Sequence, residues 1–224
     1  MPRLAGIGAL AAALGAAAWT AVSPDHAALA LLLVAGALIV AGGAWLESGP
    51  GSSKEIVLVA TLGAAAAAGR VLFAAIPNVQ PVTVMTVVAG VALGPRAGMT
   101  VGALAALVSN FYLGQGAYTP WQMLAWGGCG LLAGLWRRVL RRRLAFAAFT
   151  LGLGFAFGML MDVWLWFAFY PHTEAALLAR LAAGVPFNVT HAAGNLVLAL
   201  VAGPELRRVL ERYERKSRTE VVWA

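Results

Sequence analysis

Residues 145–170 read AFAAFTLGLGFAFGMLMDVWLWFAFY, and this stretch decides the architecture. It runs 26 residues with one charged side chain, Asp162. A soluble surface helix of that length would show a polar stripe, and a strand would be far shorter. About 20 apolar residues cross the hydrocarbon layer of a bilayer, so the stretch reads as a transmembrane helix. Arg137, Arg138, Arg141, Arg142 and Arg143 stand directly before it. Basic residues flanking a span stay on the cytoplasmic side. The helix therefore starts inside and carries Asp162 into the outer third of the membrane, at about 1.5 Å per residue.

Seven further apolar stretches accompany it, near 4–22, 27–46, 55–76, 81–94, 97–113, 119–136 and 186–203. Across all 224 residues 61% are hydrophobic and 11% charged, with a mean hydropathy of +0.81. Soluble domains are about half apolar and about a quarter charged, so a water-soluble domain is excluded, and so is disorder. The fold class is all-α, a polytopic transmembrane helical bundle. Residues 1–54 form an N-terminal helix pair and linker, 55–204 a core of six spans, and 205–224 a charged tail. The first stretch also fits a signal peptide, since Arg3 precedes an apolar run ending in small residues.

Orientation follows from Lys and Arg. With the amino terminus inside and eight crossings, fourteen of the 16 basic residues fall on the cytoplasmic side. Only Arg70 and Arg180 fall toward the outside. Both termini are then cytoplasmic. The net charge of +7 resides in short loops and the tail, which suits topology signals and anionic lipid headgroups rather than nucleic acid. The single cysteine, Cys129, lies in a Gly-rich apolar run and reads as packing.

Polar side chains inside a span usually face the bundle interior or a water-filled cavity. Arg70, Thr83, Thr86, Ser109, Asn110, Gln122, Asp162, Asn188, Thr190, His191 and Asn195 all fall in the outer half by this topology. The inner halves are mostly Ala, Gly, Leu and Val. A proton or ion channel needs polar groups through its full depth, whereas a pocket open to the outside needs them only above. Asn188, His191 and Asn195 share one helix face, and Asp162 and Trp166 share another. Asn78 and Gln80, then Gln115, Tyr118, Trp121 and Gln122, then His172 and Glu174 populate three outer loops. Such a set supplies a small-molecule pocket, mostly apolar with a few placed polar groups.

Plainer readings stand beside this one. His191 fits a simple hydrogen bond between helices, and Arg70 with Asp162 fits a structural ion pair. Arg70 alone fits snorkelling to headgroups. Trp121, Trp126, Trp164, Trp166 and Tyr170 fit an interfacial aromatic belt. Ala60, Ala64 and Ala68 make a small-residue ridge that would let another helix approach closely, although spacings of this kind arise by chance in an alanine-rich chain. Gly98 with Gly102, Gly130 with Gly134, and Gly154 with Gly158 repeat the pattern.

No Gly-x-x-x-x-Gly-Lys-Ser/Thr phosphate loop is present. One intramembrane acid is too few for metal-dependent prenyl transfer, and three histidines lack metal-ligand spacing. Ser109 sits in Val-Ser-Asn-Phe, not in the Gly-x-Ser-Gly setting of a rhomboid-type protease. No catalytic residue, metal or cofactor is indicated. A membrane-embedded enzyme acting on a lipid or peptide through Asp162 or His191 is the alternative from another class, followed by a structural or assembly subunit.

The string Ile76-Pro77-Asn78-Val79-Gln80-Pro81-Val82-Thr83, then Gly94-Pro95-Arg96-Ala97-Gly98, Ser109-Asn110-Phe111, Gly114-Gln115-Gly116 and Thr119-Pro120-Trp121-Gln122-Met123 resembles the substrate-binding (S) components of energy-coupling factor (ECF) transporters. These are vitamin-uptake systems of prokaryotic plasma membranes. The resemblance covers about residues 55–204, and it implies a six-helix S-component core preceded by two extra spans. It further implies capture of a vitamin in an outward-facing pocket, with the loop around Asn78 and Gln80 as a lid. Ala60, Ala64 and Ala68 would dock onto a transmembrane coupling (T) component, and two cytoplasmic ATPases would drive uptake.

Metal-ion members of that family begin with a Met-His ligand sequence, and this chain begins Met1-Pro2-Arg3. The Pro-Asn-Val-Gln-Pro-Val-Thr string looks most like members assigned to cobalamin or related corrinoids. The implied substrate site comprises Arg70, Asn78, Gln80, Thr83, Asn110, Gln115, Tyr118, Trp121, Gln122, Asp162, Trp166, Asn188, His191 and Asn195. Riboflavin, a folate, a pterin or a queuine-like base would suit the same groups.

Overall fold

A computed structural model describes residues 53–218 of the chain. The two N-terminal stretches and the signal-peptide reading lie outside the described residues. The described chain is helical: α1 (Ser53–Leu72), α2 (Val82–Leu93), α3 (Pro95–Leu113), α4 (Thr119–Leu135), α5 (Arg143–Phe169), α6 (Glu174–Val201) and α7 (Gly203–Arg218). Short 3-10 turns at Phe73–Ala75 and Val139–Arg141 join α1 to the next loop and α4 to α5. Three segments, Lys54–Ala75, Arg143–Phe169 and Glu174–Val201, are long and apolar enough to cross a membrane. Large apolar side chains on the last two face outward, Leu144, Leu151, Val163, Phe187 and Val197 among them. Polar groups of the same helices, Asp162, Asn188, His191 and Asn195, are buried. That is the distribution of a protein solvated by lipid.

Helix α2 is the central element. Nine of its 12 residues are buried, as expected of a helix apolar all round. At about 1.5 Å per residue it is roughly 18 Å long, short of the ~30 Å hydrocarbon layer. Gly94, at φ 101°, turns the chain straight into α3. Pro95 opens α3 with φ already set for a helix. The tightest pairings are α3 with α4 and α5 with α6. A Cβ on Gly98 would lie 2.6 Å from the Gly130 carbonyl oxygen, so α3 and α4 meet almost backbone to backbone. Gly102 and Gly134 line the same seam, against Trp126 and Pro95.

The Gly154 and Gly158 pair does something different. Each faces an asparagine of α6: Gly154 lies against Asn195, and Gly158 against Asn188. Gly184 of α6 in turn lies against the Asp162 carboxylate. Missing side chains on one helix thus make room for polar ones on the other.

Helix α6 begins at Glu174, a full 12 residues before the stretch read from the sequence. Thr173 caps it, accepting from the Ala176 amide, and Pro186 sits inside the helix rather than at its start. The charged tail is folded: α7 is amphipathic and presses Leu210 into a core with Val91, Phe146 and Ala199. Arg207 donates to the carbonyls of Leu140 and Arg141 at 3.3 and 3.0 Å, fixing the basic loop between α4 and α5.

Candidate functional site: a buried polar cluster

The polar side chains gather at the end of the bundle opposite the arginine-rich loop. They form three networks. The first centres on Arg70, which is 7% exposed. Its Nη1 donates to Ser109 Oγ at 2.7 Å and Asn110 Oδ1 at 2.6 Å. Its Nε donates to Gln80 Oε1 at 3.1 Å, and its guanidinium carbon lies 4.8 Å from the Trp126 ring centroid. Asn110 donates onward to Thr119 and Gln122, and Thr119 donates to Gln115.

The second network is a directed chain. Trp126 Nε1 donates to Thr83 Oγ1 at 3.1 Å. Thr83 Oγ1 lies 3.4 Å from His191 Nε2, and His191 Nδ1 lies 3.0 Å from the Asn78 carbonyl. A carbonyl only accepts, so Nδ1 carries a proton, while the Thr83 hydroxyl, able to donate or accept, meets Nε2. His191 is therefore held by both ring nitrogens. Phe157 stacks on Trp126 at 4.3 Å and sits beside His191.

In the third network Asp162 pairs with Arg180 at 2.7 Å and accepts from Asn188 Nδ2 at 2.7 Å. Arg180, not Arg70, is thus the ion-pair partner of Asp162. Two further ion pairs, Arg207–Glu211 and Arg208–Glu205, lie on α7.

The loop between α1 and α2 lies over the first two networks. Asn78 adopts a left-handed φ of 56°, which asparagine tolerates better than most residues. Its side chain donates to the Phe187 carbonyl, its own carbonyl is held by His191, and Gln80 is held by Arg70.

The remaining candidates take different places. Tyr118 donates to the Gly114 carbonyl and meets Trp164 edge-on. Trp166 leaves the Asp162 network and donates to the Pro171 carbonyl. Trp121 is half-buried, and its Nε1 has no partner among the described residues. Asn195 is fully buried, and among the described residues neither its amide atoms nor the buried Thr86 hydroxyl has a partner. Ala60, Ala64 and Ala68 are exposed along α1, while Ala66 and Ala67 are buried.

Where the sequence suggests an open cup, the side chains are closed on one another. Two open cavities instead lie at the basic end. One of about 620 Å³ is lined by Val91, Ala92, Arg137, Arg138, Arg141 and Glu214. One of about 200 Å³ lies between Arg143, Phe146 and α7.

Sequence reasoning did not find Trp126 and Arg180 as members of the cluster. Trp126 lies one turn from Gln122 and from Gly130, on the face α4 turns inward, and that register was the available signal. Arg180 lies two turns before Asn188 on one face, a relation hidden by starting the helix at Pro186.

No curated protein and no solved structure matches the chain. Residues 51–210 match the family described as a family of unknown function (DUF6580), and the chain belongs to that family.

Proposed function

We propose that this protein is the S component of an ECF-type importer in a prokaryotic plasma membrane. It captures a vitamin-like solute from outside and delivers it inward with a T component and two ATPases. Cobalamin or a related corrinoid is the first candidate, on the likeness of the Pro77–Thr83 string. Riboflavin, a folate, a pterin and a queuine-like base follow. On this reading all six helices α1–α6 form the transmembrane core, with both termini cytoplasmic.

One observation carries the proposal. Polar side chains from six helices meet in one end of an otherwise apolar bundle, beneath a loop they hold down. Among them Asn195 and Thr86 are buried and have no partner among the described residues. Helices α2 and α6 already meet through Thr83 and His191. Thr86 and Asn195 lie one turn further along the same two helices, where ligand contacts would offset their desolvation. A buried polar group without a partner costs about 1–3 kcal/mol, and a solute that met both would offset that cost.

The test is direct binding of a vitamin panel, headed by cobalamin, to the purified protein. Thr86→Val removes a hydroxyl and keeps the shape. It should leave stability unchanged or raise it by up to about 1 kcal/mol, and weaken binding. Loss of stability with binding intact would make Thr86 a structural residue. No binding across the panel would remove the proposal.

The exposed ridge of Ala60, Ala64 and Ala68 supports docking on a T component. Replacing Ala64 by tryptophan should leave solute binding intact and abolish uptake in cells that also supply the T component and ATPases. Uptake at the wild-type rate would remove the docking surface.

A further inference from the structure

Arg70 is a buried cation, and among the described residues no carboxylate pairs with it. Among the described residues its partners are the neutral oxygens of Gln80, Ser109 and Asn110 and the face of Trp126. The nearby acid of the cluster, Asp162, is neutralised by Arg180. A charge taken out of water is costly unless an opposite charge meets it, and here the opposite charge does not come from these residues.

The distribution of contacts around the guanidinium shows where it would come from. Nη1 is used on the inner side by Ser109 and Asn110. Nε is used only by Gln80, which belongs to the loop covering the cluster. Among the described residues Nη2 makes no hydrogen bond. Nε and Nη2 form one edge of the guanidinium fork, with two parallel N–H groups that match the two oxygens of a carboxylate or phosphate. Gln80 Oε1 thus occupies one of the two oxygen positions that a bidentate anion would take.

We infer that the solute captured by this protein carries an anionic carboxylate or phosphate group, and that this group replaces Gln80 on the Nε–Nη2 edge of Arg70. The inference rests on the solute-capture reading above and adds the chemical class of the solute. Ser109 and Asn110 act as positioning residues, holding the inner nitrogen so that the outer edge faces the loop. A carboxylate on a vitamin acid and the phosphodiester of a corrinoid nucleotide loop present the same pair of oxygens.

The experiment compares matched pairs on the purified full-length protein: cobalamin with cobinamide, biotin with biotinamide, pantothenate with pantothenol, and nicotinate with nicotinamide. For the pair that binds, the anionic member should bind about 10- to 100-fold tighter, the size of a charge-assisted contact. Arg70→Gln should erase that difference. Arg70→Lys should restore only part of it, because an ammonium keeps the charge and loses the fork.

Should the Arg70 variants fail to fold, Gln80→Glu tests the same edge, by tethering a carboxylate to it. This variant should unfold at a higher temperature than wild type and lose affinity for the anionic member. Equal binding of both members of a pair would overturn the inference and leave solute capture standing. Binding by no panel member would remove the capture reading, and Gln80→Glu alone would then judge the edge. A rise in its unfolding temperature would support an edge built for an anion, and an unchanged or lowered one would overturn it.

Discussion

Replacing Asp162 by alanine is expected to lower stability by about 3–5 kcal/mol, the usual result of removing one half of a buried ion pair. Asp162 accepts from Arg180 Nε and Nη2 at 3.1 and 2.7 Å and from Asn188 Nδ2 at 2.7 Å. Its removal strands a guanidinium whose side chain is only 21% exposed and an amide that is 2% exposed. Leu at 162 together with Met at 180 removes both charges and fills the volume. That double variant should recover most of the loss, because a well-packed apolar pair often matches a buried ionic one. Unfolding in detergent measures all three proteins. A loss below about 1 kcal/mol for Asp162→Ala, or a double variant worse than the single, would show that the pair is not holding α5 to α6.

Gly98→Leu should be at least as damaging. The α3–α4 seam has no room for a Cβ at this position: the Gly130 carbonyl oxygen and the Gly90 Cα would both lie 2.6 Å away. Backbone cannot rotate aside as a side chain can, so the helices must separate, at about 3 kcal/mol or more. Gly128, on the same helix as Gly130, has nothing within 4 Å of its would-be Cβ. Gly128→Ala should therefore be neutral within about 1 kcal/mol, with helix propensity in its favour. The yield of monodisperse protein and its unfolding midpoint separate the two. Similar behaviour of both variants would dissolve the distinction between a packed glycine and an incidental one.

The six helices α1–α6 were legible because long apolar runs separated by Pro, Gly and Arg admit few other readings. The start of α6 was not. Proline normally opens a helix or breaks one, and Pro186 invites that reading, while the weaker signal of Thr173 followed by Glu174 marks the true start. The polar residues themselves were equally legible, since each stands out in an apolar run. Their partners were not, because pairing depends on which helices are neighbours and at what register. The sequence reading pairs Asp162 with Arg70, and the α5–α6 packing selects Arg180 instead. The facing of Gly158 to Asn188 and of Gly184 to Asp162 is hidden for the same reason: each glycine matters through a residue about 20 or more positions away. Trp126 was ambiguous by composition, and its complete burial beside Arg70 follows from the α4 register.

The segment Ile76–Pro81 is fastened from below, by Arg70 at one residue and His191 at another. On the solute-capture reading it would serve as a hatch bolted on the inside, and unbolting it would mean rearranging the cluster beneath. Any compound entering by that route meets a competent form present for only part of the time. Its measured dissociation constant is the intrinsic one divided by that fraction. A hatch open about one part in a hundred would make a nanomolar chamber look roughly a hundredfold weaker, and binding would report the bolts as much as the fit.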